Sequence, residues 1–268
     1  MINHSFRHAL IFAMSFSMLT STGAVAETVF ATEGDYPPWN ETNAEGHFTG
    51  FDIDLVNGLC AELGEDCRFV TAAFPAMIDA VGEGAYEGIV SGIAITDERE
   101  KKIAFTRPYM SLSLSFATAA GSPLAADAPA SNAGLLERLA AARLGAQSGS
   151  VNARLLEKFL PDATLISFDS QEGLNRAVAD GKVDAGLAAS QTWKAPTPVT
   201  VDAIVEIGAP LTSIDYPMIG RGLGIGLAKE NTKLKGALDT AICALSANGE
   251  IAALSRRWFG EDLSVPCK

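Results

Sequence analysis

The chain has 268 residues and a formal charge of -12, from 32 Asp and Glu against 20 Lys and Arg. An acidic balance of that size argues against nucleic acid and against anionic membrane surfaces as partners. The four cysteines have no histidine near them, and two of the three histidines precede residue 27, so no metal site is expected.

At the amino terminus Arg7 is the only charged side chain, Ala9 to Leu19 is an apolar run dotted with Ser, and Ala24-Val25-Ala26 is an A-x-A cleavage site. This reads as a secretory signal peptide over 1–26. The run is too short and too rich in Ser and Thr for a membrane anchor. Export would leave Glu27 to Lys268, with a charge of -13 once Arg7 is gone. It would also place Cys60, Cys67, Cys243 and Cys267 where cysteines pair by default. Cys60 with Cys67 and Cys243 with Cys267 are the natural partners, but sequence alone leaves all three connectivities open.

Thr28 to Thr32 reads as a strand. Phe51 to Leu63 reads as an amphipathic helix, with Phe51, Leu55, Leu59 and Leu63 four residues apart. Arg68 to Thr71 is a strand, Ala76 to Val81 a short helix and Gly88 to Ile95 a strand, followed by a helix capped by Thr96. Ser111 to Ala119 makes a strand that leaves this first region, and Ser122 to Asn132 is a loop rich in Pro, Ala and Ser. A second set follows: strand Arg143 to Gln147, helix Asn152 to Phe159, and strand Thr164 to Phe168. It continues with a helix opened by an Asp169/Glu172 capping pair and a strand from Val183 to Ala188. Residues 221 to 231 read as a strand and turn, and two helices close the chain, Thr232 to Ala247 and Glu250 to Phe259. The alternation gives an α/β fold of two lobes, each a mainly parallel sheet flanked by helices. The glycines of "GRGLGIG" lack both phosphate-loop contexts, so nucleotide binding is not expected.

Arg99 breaks a local rule. A helix start carries partial positive charge that suits Asp97 and Glu98 and disfavours a base. Taken by themselves, the residues suggest a surface arginine neutralised by Asp97, Glu98 and Glu100.

The segments "ATEGDYPPWN", "GFDIDLVNGLC", "EGIVSGIAITDEREKKIAFTRPY", "LGAQSGS" and "GLGIGLAKEN…NGEIAALSRRWFG" resemble, in family order, the periplasmic solute-binding proteins of polar amino-acid ABC importers. The likeness is to the branch that takes lysine, arginine, ornithine, histidine and the opines octopine and nopaline, and the Cys60–Cys67 spacing matches it too. The resemblance implies a type II binding-protein fold with lobe 1 at 27–111 and 215–268 and lobe 2 at 112–214. Two crossover segments would form a hinge, and the ligand would be enclosed between the lobes.

It further implies that Arg99 clamps the ligand's α-carboxylate with its planar fork. Backbone N–H groups of Gly92 and Ile93 would help from one wall, and those of Ser150 and Val151 from the other. Tyr36, Trp39 and Phe74 would sandwich the ligand's side chain, Glu33 would pair with its distal cation, and Ser91 lies beside them. The family commonly has a hydroxyl where this chain has Ala94, and an acid where it has Ala189 or Ser190. An opine, whose α-nitrogen bears a second carboxylated group, fits those two losses; a plain basic amino acid is the other expectation. The implied protein is periplasmic, monomeric, without a cofactor, and partnered by an inner-membrane ABC permease. A competing expectation is a dehydratase-like enzyme of the same fold acting on a small carboxylic acid. It would need a placed acid or base, and His47, in a turn, is the one histidine past residue 26.

Overall fold

The structure is a computed structural model and describes residues 1, 27–129, 131–195, 197, 199–200 and 202–267. The expected signal peptide therefore lies outside the described residues, apart from Met1. The first sheet contains β1 (Thr28–Thr32), β5 (Cys67–Thr71), β6 (Gly88–Ile89), β7 (Ala104–Phe105) and β13 (Gly226–Leu227), in the order β5-β1-β6-β13-β7. β1 runs parallel to β5 and β6, while β13 is antiparallel to its two neighbours. The second contains β8 (Ser113–Ala119), β9 (Arg143–Gln147), β10 (Thr164–Phe168), β11 (Ala185–Ala189) and β12 (Ile204–Thr212), in the order β10-β9-β11-β8-β12. There β9 is parallel to β10 and β11, and β8 is antiparallel to β11 and β12. A third, small sheet of β2 (Asp35–Tyr36), β3 (Asn40–Thr42) and β4 (Phe48–Thr49) folds the loop after β1 over the first.

Helices α1 (Phe51–Leu63), α2 (Phe74–Gly82), α3 (Asp97–Glu100), α9 (Thr232–Ala247) and α10 (Glu250–Phe259) belong with the first sheet. With the second go α4 (Pro123–Ala126), α5 (Asn132–Leu139), α6 (Val151–Phe159), α7 (Gln171–Ala179) and α8 (Ser190–Lys194). α1 buries Phe51, Leu55, Val56 and Leu59, each contributing about 1.5–3 kcal/mol by leaving water. It stops at Gly64, which takes the left-handed conformation a side chain resists and closes the helix with N–H bonds to Cys60 and Ala61. α6 and α7 start on serine caps, Ser150 and Ser170, whose side chains accept from Ala153 and Gly173. The cap of α7 is thus Ser170, not the Asp169 expected from sequence.

The disulfides are Cys60–Cys67 and Cys243–Cys267. On the chain-entropy argument they contribute about 2.5 and 3.5 kcal/mol by restricting the unfolded chain. The chain crosses between the sheets twice, between Phe105 and Ser113 and between Thr212 and Gly226. The crossovers are held side by side by the Met110–Leu223 bridge. Between the sheets the carboxyl ends of the parallel strands face one another, the usual place for a ligand in such sheets.

Candidate ligand-binding site

Each wall of the inter-lobe cleft is built where a parallel strand ends. β1 hands over to Glu33 and Tyr36, and β6 to Ser91, Gly92 and Ala94. β5 leads to Phe74, β9 ends in Gln147 and turns into α6, and β11 ends in Ala189. The cleft holds a cavity of about 30 Å3, lined by Tyr36, Phe74, Ser91, Gly92, Ala94, Arg99, Leu112, Leu114, Gln147, Ser150, Val151, Asn152 and Ala189. Seven of the sequence-predicted residues therefore meet there: Tyr36, Phe74, Ser91, Gly92, Arg99, Ser150 and Val151.

Arg99 is 4 % exposed. Thr96 caps its short helix by accepting from the Arg99 N–H at 3.3 Å. The guanidinium donates from Nη1 to the Ala94 carbonyl at 3.0 Å and from Nη2 to the Gly149 carbonyl, across the cleft, at 3.3 Å. Its Cζ lies 5.5 Å from the centroid of the Phe74 ring, a contact worth about 0.5–2 kcal/mol. Among the described residues no carboxylate forms a salt bridge with it. Glu98 pairs with Arg154 at 3.1 Å, and Asp97 and Glu100 pair with Arg221. Burial, with the neighbouring Arg154 cation, lowers the affinity of Arg99 for its proton. A guanidinium starts so high that it stays charged at neutral pH. A buried cation with only carbonyl partners is an anion receptor in waiting.

Glu33 is placed differently from expectation. It is 5 % exposed and stands one layer behind the lining, with Ser91 Oγ donating to one oxygen at 2.9 Å and the Gln147 amide donating to the other across the cleft. Burial pushes its carboxyl up to about 8, against the pull of those two donors. Ser91 and Gln147, which do line the cleft, stand between it and the open space.

Four further expectations need correction. The Gly92 N–H is not free: it donates to Asp52 Oδ2 at 3.0 Å. Asp52 is fully buried, also takes Asn40 Nδ2 at 3.1 Å and the Tyr109 hydroxyl at 3.3 Å, and is raised by burial to about 7. It ties α1 to the β6 turn. The Ser150 N–H closes a turn onto the Gln147 carbonyl at 3.3 Å and the Ala153 N–H is taken by the Ser150 cap, which leaves the Val151 and Asn152 N–H groups of the first turn for a ligand. Trp39 is 1 % exposed and packs behind Tyr36 against Phe51 and Phe259, with ring centroids 5.9 and 4.7 Å away, so it buttresses the site from the core. Ile93 is likewise fully buried and outside the lining. Gly92 has φ 54, and a Cβ there would sit 3.2 Å from Tyr36, so the turn requires glycine.

The register at the end of β11 is now settled. Ala189 lines the cleft, whereas the Ser190 hydroxyl turns back to Ser113 and Ser115 at 3.1 and 2.5 Å. Gln147, Asn152, Leu112 and Leu114 were not predicted. The position of Gln147 at the end of a predicted strand was the signal that could have found it.

The family model for bacterial extracellular solute-binding proteins, family 3, matches residues 28–261, and the chain belongs to that family. Similar curated proteins include a putative ABC transporter arginine-binding protein 2 of Escherichia coli K12, 30% identical over 242 residues, covering 89% of this chain and 93% of the relative. Another is an L-arginine-binding protein of Pseudomonas aeruginosa PAO1, 30% identical over 265 residues and covering 95% and 97%. Among solved structures, an ancestral arginine-binding protein bound to arginine superimposes with a TM-score of 0.76 at 24% identity, covering 87% of this chain and 98% of that one. A periplasmic His/Glu/Gln/Arg/opine family-binding protein from Silicibacter pomeroyi, in complex with lysine, gives 0.73 at 27% identity, covering 89% and 99%. The type II binding-protein fold is thereby established. Among the described residues no helix is long and apolar enough to cross a membrane.

Proposed function

We propose that this protein is the periplasmic receptor of an ABC importer. It captures a small carboxylic acid bearing a distal cation, a basic amino acid or an opine of the octopine or nopaline type, and delivers it to the permease as a monomer without enzymatic turnover. The observation that carries this reading is a buried base and a buried acid, Arg99 in the lining of the cleft and Glu33 just behind it, without an ionic partner for either among the described residues. Arg99 takes the carboxylate together with the α6 N-terminus. Tyr36 and Phe74 cover the aliphatic stem, and Glu33, with Gln147 and Ser91, takes the cation. Names of relatives that include arginine, histidine and lysine ligands support a basic ligand.

The cross-cleft contacts of Glu33 with Gln147, Arg99 with Gly149, Glu98 with Arg154 and Tyr36 with Thr192 support a site that closure completes from both lobes. Such closure excludes water and strengthens every polar contact within. A receptor affinity near 1 μM needs about -8 kcal/mol, within reach of a carboxylate clamp and one charged hydrogen bond at about 1.5–3 kcal/mol once binding costs are met. Calorimetric titration with arginine, lysine, histidine, octopine and nopaline, with NMR of the ligand after incubation, tests the proposal. Tight binding with the ligand recovered intact is expected. Conversion of a bound acid to product would favour the dehydratase-like alternative instead.

A further inference from the structure

Much of the cleft lining is apolar. It includes Ala94, Ala189, Leu112, Leu114 and Val151 beside the neutral polar Ser91, Gln147, Ser150 and Asn152, and no Asp or Glu occurs among the lining residues. The acids nearest the lining, Glu33, Asp35 and Asp52, all lie outside it, and Asp52 is further engaged by Asn40, Tyr109 and the Gly92 backbone. A basic amino acid brings one anion and two cations, and its α-ammonium is bonded to the same carbon as the carboxylate. With its carboxylate on Arg99 and its distal cation at Glu33, that ammonium would face alanine and leucine side chains. An ammonium has three donors and no acceptor, and leaving it buried among methyl groups is costly.

The hydroxyls at hand are each engaged twice and keep one lone pair apiece, a neutral acceptor that does not balance a full positive charge. Ser91 Oγ donates to Glu33 and accepts from Asn40, and Ser150 Oγ donates to the Gln147 carbonyl and accepts from Ala153. One polar atom remains unsatisfied at the cleft. Asn152, in the first turn of α6 and 7 % exposed, has a buried Oδ1 with no hydrogen-bond partner. A neutral amide oxygen suits one N–H; it does not replace a carboxylate for a full positive charge.

Resting on the proposed reading of the site, we infer that the ligand is a cation-bearing carboxylic acid whose α-nitrogen is not a free primary ammonium. The nitrogen either carries a second carboxylated substituent that neutralises its charge, or is acylated, or is missing. Where the nitrogen is present, Asn152 is the residue that meets an N–H of it, and Ala94 and Ala189 are the residues that exclude the primary ammonium.

The test is calorimetry on ligand-stripped protein with four probes: octopine, Nα-acetylarginine, 4-guanidinobutyrate and arginine. At least one of the first three should bind about tenfold or more tighter than arginine, a gap of about 1.4 kcal/mol. Which of the three leads distinguishes the substituted, acylated and nitrogen-free forms. Ala189→Asp should reverse the order by at least about tenfold in favour of arginine. Ala94→Ser, a smaller change, should move it in the same direction if Ala189→Asp does not fold. Arginine binding to the wild type as tightly as any other probe overturns the inference while the proposed function stands. Failure of all four to bind overturns both.

Discussion

The two buried ions of the cleft make an instructive contrast. Arg99 and Glu33 are equally hidden, at 4 % and 5 % exposure, and neither has an ionic partner among the described residues. Burial disfavours the charged form of each, lowering the one group's pKa and raising the other's. The outcomes differ because the starting points differ. A guanidinium has enough reserve to remain a cation, whereas the carboxyl at about 8 is mostly protonated at neutral pH in the unliganded protein. The carboxylate of a ligand is thus met by a permanent charge, and its distal cation by a group that must first lose a proton.

Breaking the permanent partner should have the largest effect. Arg99→Ala is expected to weaken binding by about 2–5 kcal/mol, the usual cost of removing one member of a buried, hydrogen-bonded charge pair. Arg99→Lys should recover part of the loss, since it restores charge but not the fork. Next in size is Asp52→Leu. It leaves the Gly92 N–H, Asn40 Nδ2 and Tyr109 hydroxyl without their acceptor, at about 1–3 kcal/mol for each group left unpaired, and chemical denaturation should show a lowered midpoint. Glu33→Gln should weaken binding of a cationic ligand by about 1.5–3 kcal/mol and leave its uncharged analogues nearly unaffected.

The acid-base contrast gives a pH signature. A cation at Glu33 favours the deprotonated carboxyl, so binding releases a proton. Affinity should rise by up to about tenfold per pH unit below 8 and level off above it, and Glu33→Gln should flatten the curve. Stability of the unliganded protein should move the other way. Glu33 and Asp52 have folded pKa values of about 8 and 7, above their ordinary values of 4.5 and 3.8. Folding therefore holds protons that the unfolded chain has lost, and this stabilisation is fully present at the acid end and fades as pH rises through 7 and 8. A thermal midpoint that climbs from pH 5 to 8 without ligand would sink this assignment. The smallest structural change is loss of one disulfide: Cys60→Ser with Cys67→Ser should cost about 2.5 kcal/mol in unfolding free energy while leaving the site intact.

Long, strongly patterned elements were legible in the sequence. α1, α9 and α10 and strands β1, β9 and β10 have the bounds that periodicity, caps and glycine stops indicate. What escaped depends on partners distant in sequence. β2, β3 and β4 are two or three residues each and exist through mutual pairing. β12 carries an irregular register between Ile207 and Leu211, and Gly208 there has φ 74. The strand expected over Gly88 to Ile95 shrinks to β6 because Ser91 and Gly92 turn out of the sheet, and Gly92 is anchored by Asp52 from another element.

At the site, Arg99 could be singled out because it violated a local rule. Glu33 could be named but not placed, since the Gln147 that covers it comes from the other lobe. Trp39 sits beside Tyr36 in sequence and looks equally suited to a ligand, yet Phe51 and Phe259 draw it into the core. Asn152 carried no mark at all, because an unpartnered oxygen is a property of packing.

The central claim is that the Arg99 guanidinium holds a ligand's carboxylate inside the closed cleft. Calorimetric titration of wild type and Arg99→Ala with the tightest-binding acid, and of wild type with that acid's decarboxylated analogue, tests it most directly. The account predicts that removing either the guanidinium or the carboxylate weakens binding to a similar degree, and that removing both costs little more than removing one. Undiminished binding by Arg99→Ala would contradict it.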